Sequence, residues 1–375
     1  MIVSILAKEG LKRKEKLIRC AGKTGREGNR RHMKITLVTT MRNEGPHLLE
    51  WIAHHRAAGV TDFLVYTNDC EDGSEALLKL LPDVVHVPLE DGKKPPQWRA
   101  LKAAWDHPLV AGADWIACVD CDEFININSS ISSIPDLIEK VEADMILLPW
   151  RLFGHAGQVG FSDAPTTERF TRAAPETLLY PAIGSYFKTL FRRRGPFRQL
   201  GVHRPKQKNA DRHGLPRIVD GSGAAVPDSL AANEGQIMLW GQPIARDLVQ
   251  LNHYSVRSAA EFMLKRGRGL PNHQQKQVDL TYWVERNFNT VEDRSIAHMS
   301  AATQKVLQQF MALEGVSDAL DACRNWHRQR FADMMEEPEE LKLYGRLLLA
   351  EGAAHLPEAV ALDLIRRYGR AHGSN

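Results

Sequence analysis

The stretch Ala113-Asp114-Trp115-Ile116-Ala117-Cys118-Val119-Asp120-Cys121-Asp122-Glu123-Phe124 indicates how this chain folds. It begins as an apolar, β-prone run and ends in acids, which predicts a buried strand with carboxylates at its C-terminal edge. If the backbone stays extended through Asp120 and Asp122, the two-residue period puts both side chains on one face and turns Cys121 away. Mg²⁺ and Mn²⁺ bind such carboxylates and add water and phosphate oxygens. The pattern predicts a metal site, although Asp-x-Asp also occurs in solvated loops.

Composition is typical of a soluble globular protein with one large core or two moderate ones. The 375 residues are 43% hydrophobic and 25% charged,. No run is long and apolar enough to span a bilayer, and residues 2–7 precede basic residues, the reverse of a signal peptide. We therefore expect a cytoplasmic protein. The net charge of +3 does not indicate nucleic acid as a partner, and we expect none,.

The five cysteines include one Cys-x-x-Cys pair, Cys118 and Cys121. Such a pair is found in redox and zinc sites, but no second Cys or His pair has ligand spacing here. Because Cys118 lies inside the apolar strand, we interpret it as a small buried hydrophobic residue.

Three regions follow from composition. Residues 1–32 are densely basic and poor in core residues, which predicts a flexible extension,. Both Met1 and Met33 are candidate start sites of translation. The alternative is an arm that touches anionic lipid at the inner face of the plasma membrane. Residues 33–279 carry the α/β pattern. Residues 280–375 are mostly helical and should pack on that domain or carry a partner surface.

Strands and helices alternate after residue 33. Strands are predicted at residues 35–40, 63–67 and 84–87, in the quoted stretch and at residues 145–149. The helices between them are predicted at residues 47–58, 75–81, 97–105 and after the N-cap Ser133. This order predicts an α/β fold with a mostly parallel sheet and right-handed crossovers. Further helices are predicted at residues 302–313, 317–334, 338–349 and 357–368.

The middle of the chain is less regular. Residues 186–194 read as a strand that ends in cations, with residues 201–205 as its antiparallel partner. Residues 208–235 are poor in large apolar side chains, which predicts a flexible loop that serves as a lid. A short strand at residues 250–253 should end in His253 and Tyr254.

Three polar clusters follow predicted strands, at residues 42–44, 68–72 and 120–123. Ligands of open α/β sheets bind outside the carboxyl ends of the strands, so these clusters should form one site. Asn, Asp and Gly are also good turn formers, which explains residues 72–74 well. A turn explains Arg42-Asn43-Glu44 and the acids after the fourth strand less well.

These clusters carry a resemblance. Residues 39–44, 68–74 and 120–124 resemble, in order, the three signature loops of GT-A glycosyltransferases,. The chain is most similar to bacterial family 2-like proteins whose metal motif reads Asp-x-Asp-Glu-Phe, over roughly residues 34–269. The resemblance implies a GT-A-like Rossmann-type mixed sheet, a nucleotide-diphosphate sugar donor, preferably a UDP-sugar, and Mn²⁺ or Mg²⁺. It also implies a glycan or lipid-linked acceptor in cell-surface polysaccharide synthesis.

The resemblance implies roles for individual residues. Asp122 and Asp120 would hold the metal and the ribose, with His253 as a third metal or pyrophosphate contact. Asp69 or Asp72 would approach the base or ribose, and cations at 192–194 would add positive charge to that of Lys265 and Arg268. The predicted donor-binding residues are Thr40, Arg42, Asn43, Glu44, Asn68, Asp69, Asp72, Trp98, Arg99, Asp120, Lys265 and Arg268. Trp150, His203 and Tyr254 are assigned to the acceptor side, although His203 and His253 taken singly read as structural histidines.

The catalytic base is assigned to Glu168 or Asp163, in a loop expected to reach the site. Glu168 is preferred because Arg169 is placed to orient it. Family 2 proteins usually carry a Glu-Asp pair after the metal strand, and none occurs between residues 150 and 201, so the base and the stereochemistry stay open.

Two other functions remain open. A sugar-nucleotide nucleotidyltransferase also uses an α/β sheet and a metal, but its first loop should be rich in Gly and basic residues, and here it reads Arg-Asn-Glu. In a non-catalytic nucleotide-sugar-binding protein the acids would be turn residues only.

Overall fold

A nine-stranded central sheet organises the computed structural model, which describes residues 33–90, 92–240, 244–269 and 278–371. The basic residues 1–32 lie outside the described residues. The compact unit begins at Lys34. The strands are β1 (Ile35–Met41), β2 (Asp62–Thr67), β3 (Val84–Pro88), β4 (Trp115–Cys118), β5 (Glu123–Ile127), β6 (Met145–Leu152), β7 (Arg172–Ala173), β8 (Phe187–Arg192), β9 (Phe197–Gln199), β10 (Lys206–Gln207), β11 (Ile218–Val219), β12 (Val249–His253) and β13 (Val291–Glu292).

Helices cover both faces of this sheet and form the C-terminal part of the chain. They are α1 (Gly45–Ala57), α2 (Ser74–Lys79), α3 (Pro96–Asp106), α4 (Pro108–Ala111), α5 (Ile134–Lys140), α6 (Thr166–Arg169), α7 (Ala210–His213), α8 (Asp228–Ala232), α9 (Ala259–Arg268), α10 (Leu280–Val284), α11 (Ser300–Met311), α12 (Val316–Met335), α13 (Pro338–Leu349) and α14 (Glu358–Ala371). Ser133 caps α5 as predicted, because its Oγ accepts a hydrogen bond from the Asp136 amide,.

The sheet has the order β3-β2-β1-β4-β8-β6-β12-β5, and β11 pairs with β6. The first four strands are parallel, and every residue of β1 is buried, as expected for a strand covered on both faces,. β12 runs parallel to β6, whereas β8 and β5 are antiparallel to their neighbours. The predicted α/β class with a mixed, mostly parallel sheet is confirmed.

Two predictions for the middle of the chain are wrong. β8 inserts between β4 and β6 and does not pair with residues 201–205; instead β9 pairs with β10. Residues 208–235 are no open lid, because β11 joins the sheet beside Met145 and Ile146. Leu230 on α8 is buried in the same core cluster. A few well-spaced apolar residues anchor this Gly-rich and Ser-rich segment.

The C-terminal helices pack on the sheet domain. α11 and α12 lie against α1, and α12 also contacts α2 and α9. Trp283 is buried, and its Nε1 donates to the Ala350 carbonyl. None of the helices in the described part of the chain is long and apolar enough to cross a membrane.

The contact between α1 and α12 depends on Gly45. A Cβ built on Gly45 would lie 2.7 Å from the Cβ of Cys323, so the two helices approach more closely there than an alanine permits. At Gly345, on α13, a Cβ would meet nothing within 4 Å.

We expect Gly45→Ala to lower the free energy of unfolding by about 1–3 kcal/mol, because it overpacks a rigid helix contact. Gly345→Ala should raise stability by up to about 1 kcal/mol, since alanine favours the helix and has room. Urea denaturation followed by circular dichroism measures both. Equal stability of Gly45→Ala and wild type would contradict the close approach.

Candidate active site

The polar clusters meet at one edge of the sheet. β1, β2, β4, β6 and β12 end at this edge, and the antiparallel strands β5 and β8 begin there. A cavity of about 420 Å³ opens at this edge. The predicted site residues on its walls are Thr40, Arg42, Glu44, Asn68, Asp69, Asp120, Asp122, Trp150, His203, His253, Lys265 and Arg268.

Asp122 is held by a lysine and a histidine. The Lys265 Nζ donates to Asp122 Oδ2 at 2.6 Å, and the His253 Nε2 lies 3.6 Å from Oδ1. Burial, the largest influence, would raise the pKa of Asp122, but Lys265, His253 and Arg257 hold it well below the usual value,. Burial lowers the pKa of His253 although Asp122 opposes the shift. Asp122 is therefore a carboxylate facing a neutral imidazole.

Asp120 has different partners. Its Oδ2 accepts from Lys188 Nζ at 3.1 Å and its Oδ1 from Gln97 Nε2 at 3.1 Å. Lys188 is fully buried and also lies 3.6 Å from Glu123 Oε2. Burial would lower the pKa of Lys188, but Asp120 and Glu123 raise it, so the ammonium stays charged. Lys188 therefore orients the Asp120 carboxylate, whose side chain is 32% exposed at the cavity.

A third ion-pair group joins the first loop to α9. Arg257 Nη1 donates to Glu44 Oε2 at 2.8 Å, and Arg268 pairs with the other oxygen. Arg268 also donates to the carbonyls of Arg42 and Asn43, at 2.8 and 3.1 Å. Burial would raise the pKa of Glu44, but the two guanidinium groups lower it. Glu44 and Arg268 thus fix the first loop beside the cavity.

Asp72 and Asn43 do not reach the cavity, because both are used to shape the loops. Asp72 is buried and accepts from the amides of Gly45 and Ser74 and from His327 Nε2 at 3.0 Å. Asn43 has a φ of 51° and accepts from the Glu71 amide through its side chain,. Of the two predicted acids, Asp69 lies on the cavity wall and Asp72 ties the two loops together.

Aromatic rings line the other end of the cavity. The Trp150 and Tyr186 rings stack with centroids 5.5 Å apart, and His203 and His253 lie 5.6 and 4.2 Å from Trp150. Burial lowers the pKa of His203 to about 3, so this ring is neutral. Arg286, which stacks on Tyr282, completes this end.

Several buried polar atoms on the cavity walls lack a hydrogen-bond partner among the described residues. They are Thr40 Oγ1, Asn68 Oδ1, Gln97 Oε1, Trp150 Nε1 and His253 Nδ1. Burying a polar group without a partner costs free energy, so such a cluster indicates a site built for a polar ligand.

Other predicted residues lie elsewhere. Glu168 is exposed on α6, and Arg169 pairs with Glu261 instead of orienting it. Asp163 pairs with Arg324 and Arg328 of α12 at the surface. Glu50 holds this loop by accepting from the amides of Thr166 and Thr167. The structure therefore does not bring either proposed base to the cavity.

Three further placements differ from the sequence analysis. Trp98 is 49% exposed on α3, and Arg99 bonds to backbone carbonyls of the preceding loop. Tyr254 is buried between aromatic residues, with its hydroxyl accepting from Asn252. The cations at 192–194 lie at the C-terminal end of β8, on the opposite edge of the sheet from the cavity. There Arg192 pairs with Trp115 at the start of β4.

Sequence reasoning did not assign roles to several residues that complete the site: Gln97, Lys188, Arg257, Tyr186, Arg286 and His327. A lysine inside the apolar strand β8 was the strongest available signal, because a buried lysine needs an acid. Nothing in the local sequence indicates the contact between His327 and Asp72, since the two lie 255 residues apart in the chain.

Of the predicted metal ligands, Asp122 pairs with His253, whereas Asp120 pairs with Lys188. The described residues contain no group of three or more His, Cys, Asp or Glu side chains arranged to hold a metal. Asp122 and His253 do lie together on the cavity wall, and one carboxylate with a neutral imidazole suits Mn²⁺ when substrate phosphate and water supply the other ligands,. The residues fit an ion shared with a substrate.

Comparison with known proteins gives weak similarities. No family model matches the chain. A glycosyltransferase family 92 protein of Ricinus communis is 25% identical over 112 residues, which is 29% of this chain and 20% of the relative. The chain thus matches only about a fifth of the length of this curated relative.

Solved structures give a similar result. The mannosyltransferase PcManGT from Pyrobaculum calidifontis, in complex with GDP-Man and Mn²⁺, is 10% identical over 90% of this chain and 91% of its own, with a TM-score of 0.28. HddC from Yersinia pseudotuberculosis is 10% identical over 32% of this chain and 58% of its own, with a TM-score of 0.23. These TM-scores are too low to support a functional inference.

We expect His327→Ala to lower the free energy of unfolding by about 1–3 kcal/mol, because the buried Asp72 loses a donor. His327→Gln, which keeps an N–H donor, should lose less. The pKa of Asp72 is lowered, since hydrogen bonds from His327 and Ser74 outweigh its burial. Its contribution is therefore present above the usual pKa of 3.8 and disappears as the pH falls through the lower folded value,.

Chemical denaturation at pH 7 measures this effect. His298→Ala removes an exposed histidine and should change stability by less than about 0.5 kcal/mol,. A His327→Ala protein as stable as His298→Ala would show that Asp72 does not depend on α12.

Proposed function

We propose that the chain is a metal-dependent glycosyltransferase that uses a nucleotide-diphosphate sugar. The observation that carries the proposal is the cavity at the carboxyl edge of the sheet, where Asp122, His253 and Lys265 meet beside unpartnered polar atoms of the first strands. The weak similarity to a glycosyltransferase family 92 protein supports the same class. Membership of family 2, a UDP-sugar donor and an acceptor in polysaccharide synthesis remain finer predictions.

The nucleotide fits the end of the cavity formed by β1, β2 and α3. Thr40 Oγ1, Asn68 Oδ1 and Gln97 Oε1 offer hydrogen bonds there, and Asp69 lies on the same wall. Base and ribose groups would satisfy these atoms. We assign this end to the nucleoside.

The diphosphate fits the middle of the cavity. Lys265 and Arg268 bring fixed positive charge to it. Burial would lower the pKa of both groups, but Asp122 raises the pKa of Lys265 and Glu44 that of Arg268, so both stay protonated. Asp122 and His253 would hold the Mn²⁺ or Mg²⁺. The ion, when bound, supplies a Lewis acid that neutralises the leaving diphosphate. Lys265 now donates to Asp122 at 2.6 Å, so its ammonium is placed to exchange that carboxylate for a phosphate oxygen.

The acceptor fits the aromatic end. Tyr186 stacked on Trp150 offers an apolar face of the kind that packs against sugar rings, and His203 lies beside both rings,. A saccharide acceptor bound there would face the sugar of the donor across Asp120 and Asp122. Glu168 and Asp163 are not part of this proposal.

We expect UDP or GDP to raise the thermal midpoint of the wild type in the presence of Mn²⁺. A ligand at a hundred times its Kd stabilises the folded state by about 2.7 kcal/mol. Without metal the shift should be much smaller. Asp122→Ala and Asp122→Asn should lose the metal-dependent shift, each measured against its own ligand-free midpoint.

Asp163→Ala is the matched control, because it removes an exposed acid outside the cavity. It should respond to nucleotide and metal like the wild type. The proposal fails if no nucleotide shifts the wild type, or if Asp122→Asn responds normally. Consumption of a nucleoside triphosphate with a sugar phosphate would instead identify a nucleotidyltransferase.

We expect Tyr186→Ala to reduce transfer to p-nitrophenyl glycosides by about tenfold, because the acceptor loses a stacking surface. Hydrolysis of the nucleotide sugar without acceptor should persist, since the donor end is unchanged. Trp98→Ala removes an exposed aromatic residue outside the cavity and serves as control. Equal loss of hydrolysis and transfer in Tyr186→Ala would contradict an acceptor role for this end.

A further inference from the structure

The last helix carries an unusual surface. Val360, Leu364 and Tyr368 follow one another at intervals of four residues on α14 and remain 46%, 36% and 52% exposed. Such spacing places them on one face of the helix. Half of the exposed large apolar side chains in the described residues belong to α13 and α14. Ala361, which is buried, lies next to Tyr368 on the helix surface and about 100° around the axis from Val360, so α14 packs on the protein along one edge of this stripe,.

Positive charge lies beside this stripe. Arg366, Arg367 and Arg370 fall in the second half of α14, which has no acid after Asp363. Asp363 pairs with Arg366 and Arg367 at the surface, where such pairs are weak and leave the guanidinium groups accessible,. An exposed apolar stripe with arginines at its border is the pattern of a helix that lies in a membrane interface.

α14 is also close to the cavity. The Tyr368 ring packs 5.4 Å from Trp240. Trp240 in turn donates to the Leu179 carbonyl. Met238, two residues before Trp240, pairs with Tyr186 in an antiparallel β-bridge. Tyr186 belongs to the aromatic end of the cavity, so the exposed stripe starts next to that end.

We propose that the exposed apolar stripe of α14, together with the arginines beside it, binds the surface of an anionic lipid bilayer. The apolar stripe enters the interface between headgroups and acyl chains, and the arginines contact the phosphates. Docking in this way places the aromatic end of the cavity at the bilayer surface. The proposal concerns a partner surface and does not require the proposed reaction, because the surface is separate from the cavity residues.

The test is co-sedimentation of the full chain with vesicles of phosphatidylcholine alone and with a third of phosphatidylglycerol, without nucleotide or metal. We expect the wild type to bind the phosphatidylglycerol vesicles, to bind phosphatidylcholine much less, and to dissociate as NaCl is raised. Val360→Gln with Leu364→Gln should lower the partition coefficient by about tenfold or more, because the stripe becomes polar. Arg366→Gln with Arg370→Gln should lower it by a similar factor.

The matched control is Arg212→Gln with Leu215→Gln, which removes an exposed arginine and an exposed leucine from another surface. It should bind vesicles like the wild type. All variants change exposed positions, and unchanged thermal midpoints check that they are folded. The nucleotide response of each variant, measured separately, should stay at the wild-type level, so a failure of the transferase proposal is seen independently.

Two results would overturn the proposal. One is binding of the α14 variants at the wild-type level, which would assign any vesicle affinity to another part of the chain, such as the basic residues 1–32. The other is a wild type that does not bind vesicles but forms a dimer in light scattering, together with α14 variants that are monomers. That result would make the stripe an interface between two copies.

Discussion

Opposite charges buried at one edge of the sheet are the constraint on which the site depends. A single buried charge in this low-dielectric region would cost several kcal/mol, so these acids are paired with cations. Lys188 lies between Asp120 and Glu123, Lys265 bonds to Asp122, and two arginines hold Glu44. These ion pairs also fix the orientation of a carboxylate wherever the cation donates a hydrogen bond to it. Charge compensation therefore determines both the stability and the shape of this cavity.

The sequence predicts those strands and helices that are determined by a local pattern of apolar and polar residues. Each parallel strand from β1 to β4 is a short apolar run, so its type and position could be inferred from neighbours in the chain, and so could the polar clusters that follow β1, β2 and β4. The insertion of β8 between β4 and β6 could not, since antiparallel pairing of distant segments leaves no local period. The same holds for β11, whose two residues join the sheet inside a segment of loop-like composition.

The site was predictable to the extent that its residues end strands. Asp120, Asp122, Asn68 and His253 all follow or close a strand, and the structure brings them to one cavity. Asp72 resembled them in sequence but accepts four hydrogen bonds within the loops and from α12. Glu168 is a candidate base from the sequence because its loop is expected to reach the site and Arg169 to orient it, but Glu50 binds the amides of that loop and Arg169 pairs with Glu261. Tertiary contacts of this kind cannot be read from spacing.

The C-terminal helix α12 contacts residues that hold the loops of the site in place. His327 of α12 completes the hydrogen bonds of Asp72, and Asp72 in turn receives the amide that begins α1. The first loop, which supplies Arg42 and Glu44, is therefore joined to α12 through one buried carboxylate. Since Gly45 allows the close approach of these helices, a shift of α12 would displace the first loop as well as the helix surface. The geometry of the cavity end formed by β1, β2 and α3 is thus set by the contacts between α1 and α12 as well as by the residues that line the cavity.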